Sequence, residues 1–80
     1  MNLKILPNVV LRECAKRCSQ EQFKEIKEEA NLRNMRLKEP IESKELKVND
    51  IYFIALKLKE KISLKEFRTI ASYVQKELNK

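Results

Sequence analysis

Seven of the eight residues from Ile51 to Leu58 (Ile-Tyr-Phe-Ile-Ala-Leu-Lys-Leu) are apolar, mixing aromatic, branched and straight side chains. Wound as a helix, Ile51, Ile54, Ala55 and Leu58 form one stripe, while Tyr52, Phe53 and Leu56 cover the other faces. A helix that is apolar all round must be surrounded by protein, so this segment is expected at the centre of the fold, in a helix over about residues 50–61. The chain contains no glycine and only two prolines. Glycine supplies the positive-φ positions of tight hairpins and phosphate-cradling loops, so its absence points away from sheets and from glycine-rich nucleotide loops. The composition is that of an all-α protein.

Two stretches carry helix-start grammar. Ser19-Gln20-Glu21-Gln22 and Ser63-Leu64-Lys65-Glu66 are capping boxes, in which the serine oxygen takes the amide three residues on and the Gln or Glu side chain reaches back. Cys18 with Phe23, and Ile62 with Phe67, occupy the flanking staple positions. The two boxes lie 44 residues apart in the echo of residues 18–26 by residues 62–70. Duplication would produce this echo, and so would independent use of one capping pattern. The chain therefore reads as a single domain over residues 1–80 with four main helices in two αα-hairpins, packed around a central buried helix. Residues 1–6 form an N-terminal arm, because Pro7 blocks a continuous helix.

The first helix is expected over about Asn8–Cys18, with a Glu13–Arg17 pair at i,i+4. The second runs from Gln20 to about Leu37, facing Phe23, Ile26, Ala30 and Leu37 inward; Leu32 and Met35 leave that stripe, which implies a second contact or a loosening after Asn31. Glu29 and Arg33 can pair. Residues 38–49 connect the hairpins, with a helical turn expected over Ser43–Leu46 and with Ile41, Leu46 and Val48 holding it down. Asn49 or Asp50 is the expected cap of the central helix. In the last helix, Leu64, Phe67, Ala71, Val74 and Leu78 form a seam at helical spacing. Its outer face is Lys65, Arg68, Thr69, Ser72, Gln75 and Lys76.

At 80 residues a single core is marginal, so a protein partner or a homodimer is a fair expectation. The net charge is +6, with nine Lys/Arg against six acids in each half of the chain. That excess favours nucleic acid, acidic partners or anionic membrane surfaces, or serves solubility alone. No apolar run reaches the roughly 18 residues of a membrane span. The N-terminal residues lack the pattern of an export signal, and with two cysteines a reducing cytoplasm is the expected location.

Motifs for catalysis are missing. There is no histidine, Asp50 is the only aspartate, and a domain this small has little room for a sequestering pocket, so the chain reads as non-catalytic and needing no cofactor. Cys14 and Cys18 lie one turn apart, with Lys16 and Arg17 near enough to favour thiolates; two ligands without histidine are too few for zinc, and two small apolar side chains in a helix interface is the plainer reading. The string Lys61-Ile62-Ser63-Leu64-Lys65-Glu66-Phe67 resembles the end of an EF-hand loop and the start of its exiting helix. The loop before it places Lys57 and Lys59 where oxygen ligands belong and has no glycine, so calcium binding is excluded.

The junction before the last helix is the strongest functional candidate. Lys57, Lys59, Lys61, Lys65 and Arg68 fall within twelve residues, against Glu60 and Glu66. They flank a helix N-terminus, where free amides and the dipole favour an anion. Thr69 and Ser72 lie on the outer face beyond. The expectation is a small regulatory protein that binds DNA or RNA through Lys57, Lys59, Lys61, Lys65, Arg68, Thr69 and Ser72. It does not match a helix-turn-helix, because Lys65 and Arg68 fall where that motif needs apolar residues, and aromatic interleaving for single strands is lacking. The alternative is a helical adaptor or inhibitor using leftover apolar positions such as Leu32, Met35, Tyr52 and Tyr73.

Overall fold

Pro7 stands just ahead of the first helix with an extended backbone, and its carbonyl accepts the Leu11 amide at 2.9 Å, so the helix begins where proline costs no hydrogen bond. The computed structural model describes residues 1–41 and 43–80. The order is a 3₁₀ turn at Leu3–Ile5, α1 over Asn8–Arg17, α2 over Gln20–Leu32, α3 over Val48–Lys57, a 3₁₀ turn at Lys59–Lys61, and α4 over Leu64–Leu78. The fold is all-α. Helices α1 and α2 form one hairpin and α3 and α4 the other, and α1 packs on α3 to join them.

Both serine boxes form with both of their bonds. Ser19 Oγ accepts the Gln22 amide at 3.2 Å while Gln22 Oε1 accepts the Ser19 amide at 3.1 Å. At the second box, Ser63 Oγ accepts from Glu66 N at 3.0 Å and Glu66 Oε1 accepts from Ser63 N at 2.8 Å. The two N-cap serines have nearly the same backbone, φ −71° and ψ 167° against φ −75° and ψ 159°. The first junction is an abrupt two-residue break, whereas the second is reached through the 3₁₀ turn.

The core is built from α1 outward. Val10, Leu11, Cys14 and Ala15 of α1, with Cys18 after it, are all buried. Around them lie Leu6, Phe23, Ile26, Ala30, Leu46, Ile51, Ile54, Ala55, Ile70 and Val74. Helix α3 is less enclosed than its composition implies. Ile51, Ile54 and Ala55 are buried between α1 and α4, but Phe53 is 51% and Leu56 44% exposed. Among the described residues no further element covers the outer side of α3. Helix α4 is also rotated from its expected seam: Ile70 and Val74 are buried, Phe67 and Ala71 lie half-buried, and Leu64 and Leu78 stand out in solvent.

Helix α2 ends at Leu32, five residues before the expected Leu37. Asn34 takes φ 58°, and its amide and that of Met35 bond back to the Asn31 and Ala30 carbonyls at 3.1 and 2.8 Å. This is a Schellman motif with asparagine at its left-handed position, a role asparagine tolerates almost as glycine does. Met35 and Leu37 still pack on the core, from an extended chain rather than from a helix.

The expected turn at Ser43–Leu46 does not form; residues 43–47 are irregular, with Ser43 at φ 48°. Glu42, within the same connector, lies outside the described residues. Ile41 does not pin the connector with its side chain, which is exposed; its amide donates to the Lys16 carbonyl at 3.1 Å instead. Neither Asn49 nor Asp50 takes the N-cap of α3. Lys47 sits there, and Asp50 three residues on accepts the Lys47 amide at 2.9 Å, the backward half of a capping box.

What holds the connector is Gln22. Its amide pairs with the backbone of Leu46 in both directions, donating to the carbonyl at 2.8 Å and accepting from the N–H at 2.7 Å. One side chain thus caps α2 and fastens a segment 24 residues away. Gln22→Glu keeps the accepting half and sets a carboxylate oxygen against the Leu46 carbonyl. The expected result is a loss of about 1–2 kcal/mol in urea unfolding, with faster hydrogen exchange at the Leu46 amide. An unchanged exchange rate there would show that the connector is held by other contacts.

Candidate functional site

The seven residues of the expected basic junction fall on different surfaces. Lys65, Arg68, Thr69 and Ser72 line one shallow groove of about 710 Å³ between α4 and the N-terminal arm, together with Asn2, Ile5, Tyr73 and Lys76. Lys61 lines a separate groove with Lys4, Arg33, Glu29 and Glu66. Lys57 sits beside Arg17, Leu46 and Phe53 on another side. Lys59 is placed over the Phe67 ring, its Nζ 5.3 Å from the centroid, in a cation–π contact. The dispersal follows from the 3₁₀ turn at Lys59–Lys61, which with three residues per turn sends neighbouring side chains in widely different directions.

Geometry also shifts the site away from the helix end. The α4 N-terminus already holds a carboxylate, because Glu66 accepts the Ser63 amide. That resident charge occupies part of the positive end of the dipole and opposes an incoming anion. Arg68 and Lys76 lie beyond that first turn. Lys65, Arg68 and Lys76 make none of the ion pairs formed among the described residues, which join Glu13 to Lys16 and Arg17, Glu29 to Arg33, and Glu77 to Lys80. Among the described residues no acidic side chain lines their groove.

The polar groups between these cations have defined capacities. The Thr69 hydroxyl donates back to the Lys65 carbonyl at 2.9 Å, so towards a ligand it offers only lone pairs. The exposed Ser72 hydroxyl can donate. Tyr73 Oη accepts the Asn2 amide at 3.1 Å and draws the arm against α4, which makes the arm the second wall of the groove. Lys76 belongs to the site by its spacing, since 65, 68/69, 72 and 76 fall on one helical flank. Asn2 and Ile5 join it only through tertiary packing, and nothing in their local sequence announces it.

The arm also divides the surface charge. On its other side Glu25, Glu28 and Glu29 of α2 form a neighbouring depression with Met1, Leu3 and Lys4. Around the arm the charges are therefore sorted locally, acids on the α2 side and cations on the α4 side.

Of the apolar positions considered for protein binding, Leu32 is 78% exposed, whereas Met35, Tyr52 and Tyr73 are half-buried against the core. Cys14 and Cys18 are both buried, and burial pushes the Cys14 thiol up to about 12 and also raises Cys18. Thiols so placed are protonated packing groups rather than nucleophiles. Among the described residues no helix is long and apolar enough to cross a membrane. Comparison with known proteins finds no matching family model, no matching curated protein and no matching solved structure.

Proposed function

We propose that the protein is a small regulatory binder of nucleic acid that grips a phosphate backbone along the flank of α4. The observation that carries this reading is the groove in which, among the described residues, Lys65, Arg68 and Lys76 meet no acid and make no ion pair, with Thr69, Ser72 and Asn2 between them. From Lys65 to Lys76 the helix rises about 16 Å, which is the rise of roughly five base pairs along one strand. Three cations at that spread can meet separate phosphates along one strand, and hydroxyl and amide groups between them supply the neutral contacts common at such backbones. Contacts of this kind position a protein on nucleic acid without reading its sequence.

The test is a fluorescence-anisotropy titration of a labelled DNA duplex at several salt concentrations. Two triple variants are compared with the wild type: Lys65→Gln/Arg68→Gln/Lys76→Gln and Lys57→Gln/Lys59→Gln/Lys61→Gln. Both remove three charges, so net charge is matched. The first is expected to reduce the slope of log K against log salt by about 2.7, and the second to reduce it far less. Equal losses in both would mean that net charge alone matters and would sink the groove. No binding by the wild type at low salt would remove the reading.

A further inference from the structure

The arm that forms the second wall of the basic groove is fastened from outside that groove, by Arg33 and Glu29, neither of which lines it. Asn34 takes the left-handed position that stops α2, which leaves Arg33 at the helix end with its side chain turned to the arm. Its terminal nitrogens donate to the carbonyl of Leu3 at 3.0 Å, at the start of the 3₁₀ turn, and to that of Leu6 at 2.6 Å, just past its end. Glu29 accepts from the Nε at 2.8 Å and fixes the guanidinium between them. The turn is closed on itself by the Leu6 amide on the Leu3 carbonyl, so it moves as one piece. What grips it at Leu3 and Leu6 therefore also places Asn2 and Ile5, which line the groove. From the α4 side, Tyr73 Oη accepts the Asn2 amide.

The arm carries what a groove wall needs and lacks what a plug needs. Residues 1–7 contain no acid, so the arm has nothing to set against Lys65, Arg68 and Lys76 in place of a phosphate. The Asn2 side chain does not cap the turn it precedes, which leaves its carboxamide, with two donors and an acceptor, to a ligand. An arm seated in advance spares the binding step the cost of ordering it. We infer that the arm is a fixed half of the phosphate site rather than a cover over it, with Asn2 as its contact to nucleic acid and with Arg33 and Tyr73 as positioning residues. This rests on the reading of the groove as a phosphate site. It adds that affinity depends on an ion pair that itself touches no nucleic acid.

The labelled DNA duplex is titrated with variants of the arm and its two fastenings. Arg33→Met/Glu29→Met removes the clamp at constant net charge, and Tyr73→Phe removes only a hydroxyl; both are checked for retained helicity by circular dichroism. Each is expected to weaken duplex binding about three- to tenfold, the worth of one neutral hydrogen bond, without changing the slope of log K against log salt. Asn2→Ala is expected to give a loss of the same size in the wild type and no further loss on Arg33→Met/Glu29→Met, because a released arm no longer presents the side chain. A clamp that served stability alone would leave the affinity of the folded variant unchanged, and that result overturns the inference. So do losses that add in full, tighter binding once the arm is released, or a slope lowered by about 0.9, the mark of Arg33 meeting a phosphate itself. Lys65→Gln/Arg68→Gln/Lys76→Gln separates the two readings. If it lowers the slope while the arm variants bind like the wild type, only the role of the arm falls; if it leaves the slope unchanged, the groove falls and the arm with it.

Discussion

Replacing Arg33 with alanine is expected to lower the thermal midpoint by roughly 12–24 °C, the shift for about 3 kcal/mol in a domain of this size. The guanidinium holds five partners. Its Nε donates to Glu29 Oε2 at 2.8 Å, and its terminal nitrogens reach the carbonyls of Leu6 at 2.6 Å, Leu3 at 3.0 Å and Lys4 at 3.4 Å and the Asn8 Oδ1 at 3.1 Å. The pair is shielded, with side chains only 20% exposed for Arg33 and 14% for Glu29. Alanine leaves a half-shielded carboxylate without its cation and strips the arm of its donors, and charge-assisted bonds of this kind are among the stronger ones. Arg33→Lys keeps the charge but not the planar fork, so it is expected to recover only part of the loss. Arg33→Met/Glu29→Met, which removes both charges, is expected to be more stable than Arg33→Ala. A loss below about 1 kcal/mol for Arg33→Ala, the level of an exposed ion pair, would show that the arm is held by packing alone.

The second large effect lies on α3. Ile51→Ala is expected to cost about 3–4 kcal/mol, the usual range for truncating a fully buried branched side chain. Ile51 is wholly inaccessible between α1 and α4. Set against a total stability of roughly 4–12 kcal/mol for a chain of this length, that loss removes between about a quarter and all of it. Phe53→Ala, two residues away, is expected to cost about 1–2 kcal/mol, because half of its surface stays in water in the native state. Comparable urea midpoints for the two variants would contradict the orientation of α3.

The contrast between these two positions marks what could be read in the sequence. Local grammar was legible: Ser19 and Ser63 cap their helices with both bonds of each box, and the Glu13–Arg17 and Glu29–Arg33 pairs form. Faces were less legible. The run Ile51–Leu58 is apolar on all sides, so periodicity cannot say which side is inside, and a short chain leaves one side open. On α4, Leu64 and Leu78 satisfy helical spacing as well as Ile70 does, yet only tertiary packing chose Ile70 and Val74. The Asn34 stop was available in principle, as an asparagine just past the apolar stripe, but the apolar Met35 and Leu37 beyond it suggested more helix. Long-range polar ties, from Arg33 to the arm and from Gln22 to Leu46, have no local signature. Of the candidate site, the α4 flank followed from spacing, whereas the separation of Lys57, Lys59 and Lys61 required the 3₁₀ turn to be seen.

The sorting of acids to one side of the arm and cations to the other has a consequence in free solution, before anything is touched. Such a molecule has an electric moment as well as a net charge, so a nearby polyanion exerts a torque on it and not merely a pull. Close to the arm the field would turn the basic groove rather than the acidic depression towards a polyanion, and that preference would fade as added salt shortens the reach of the field.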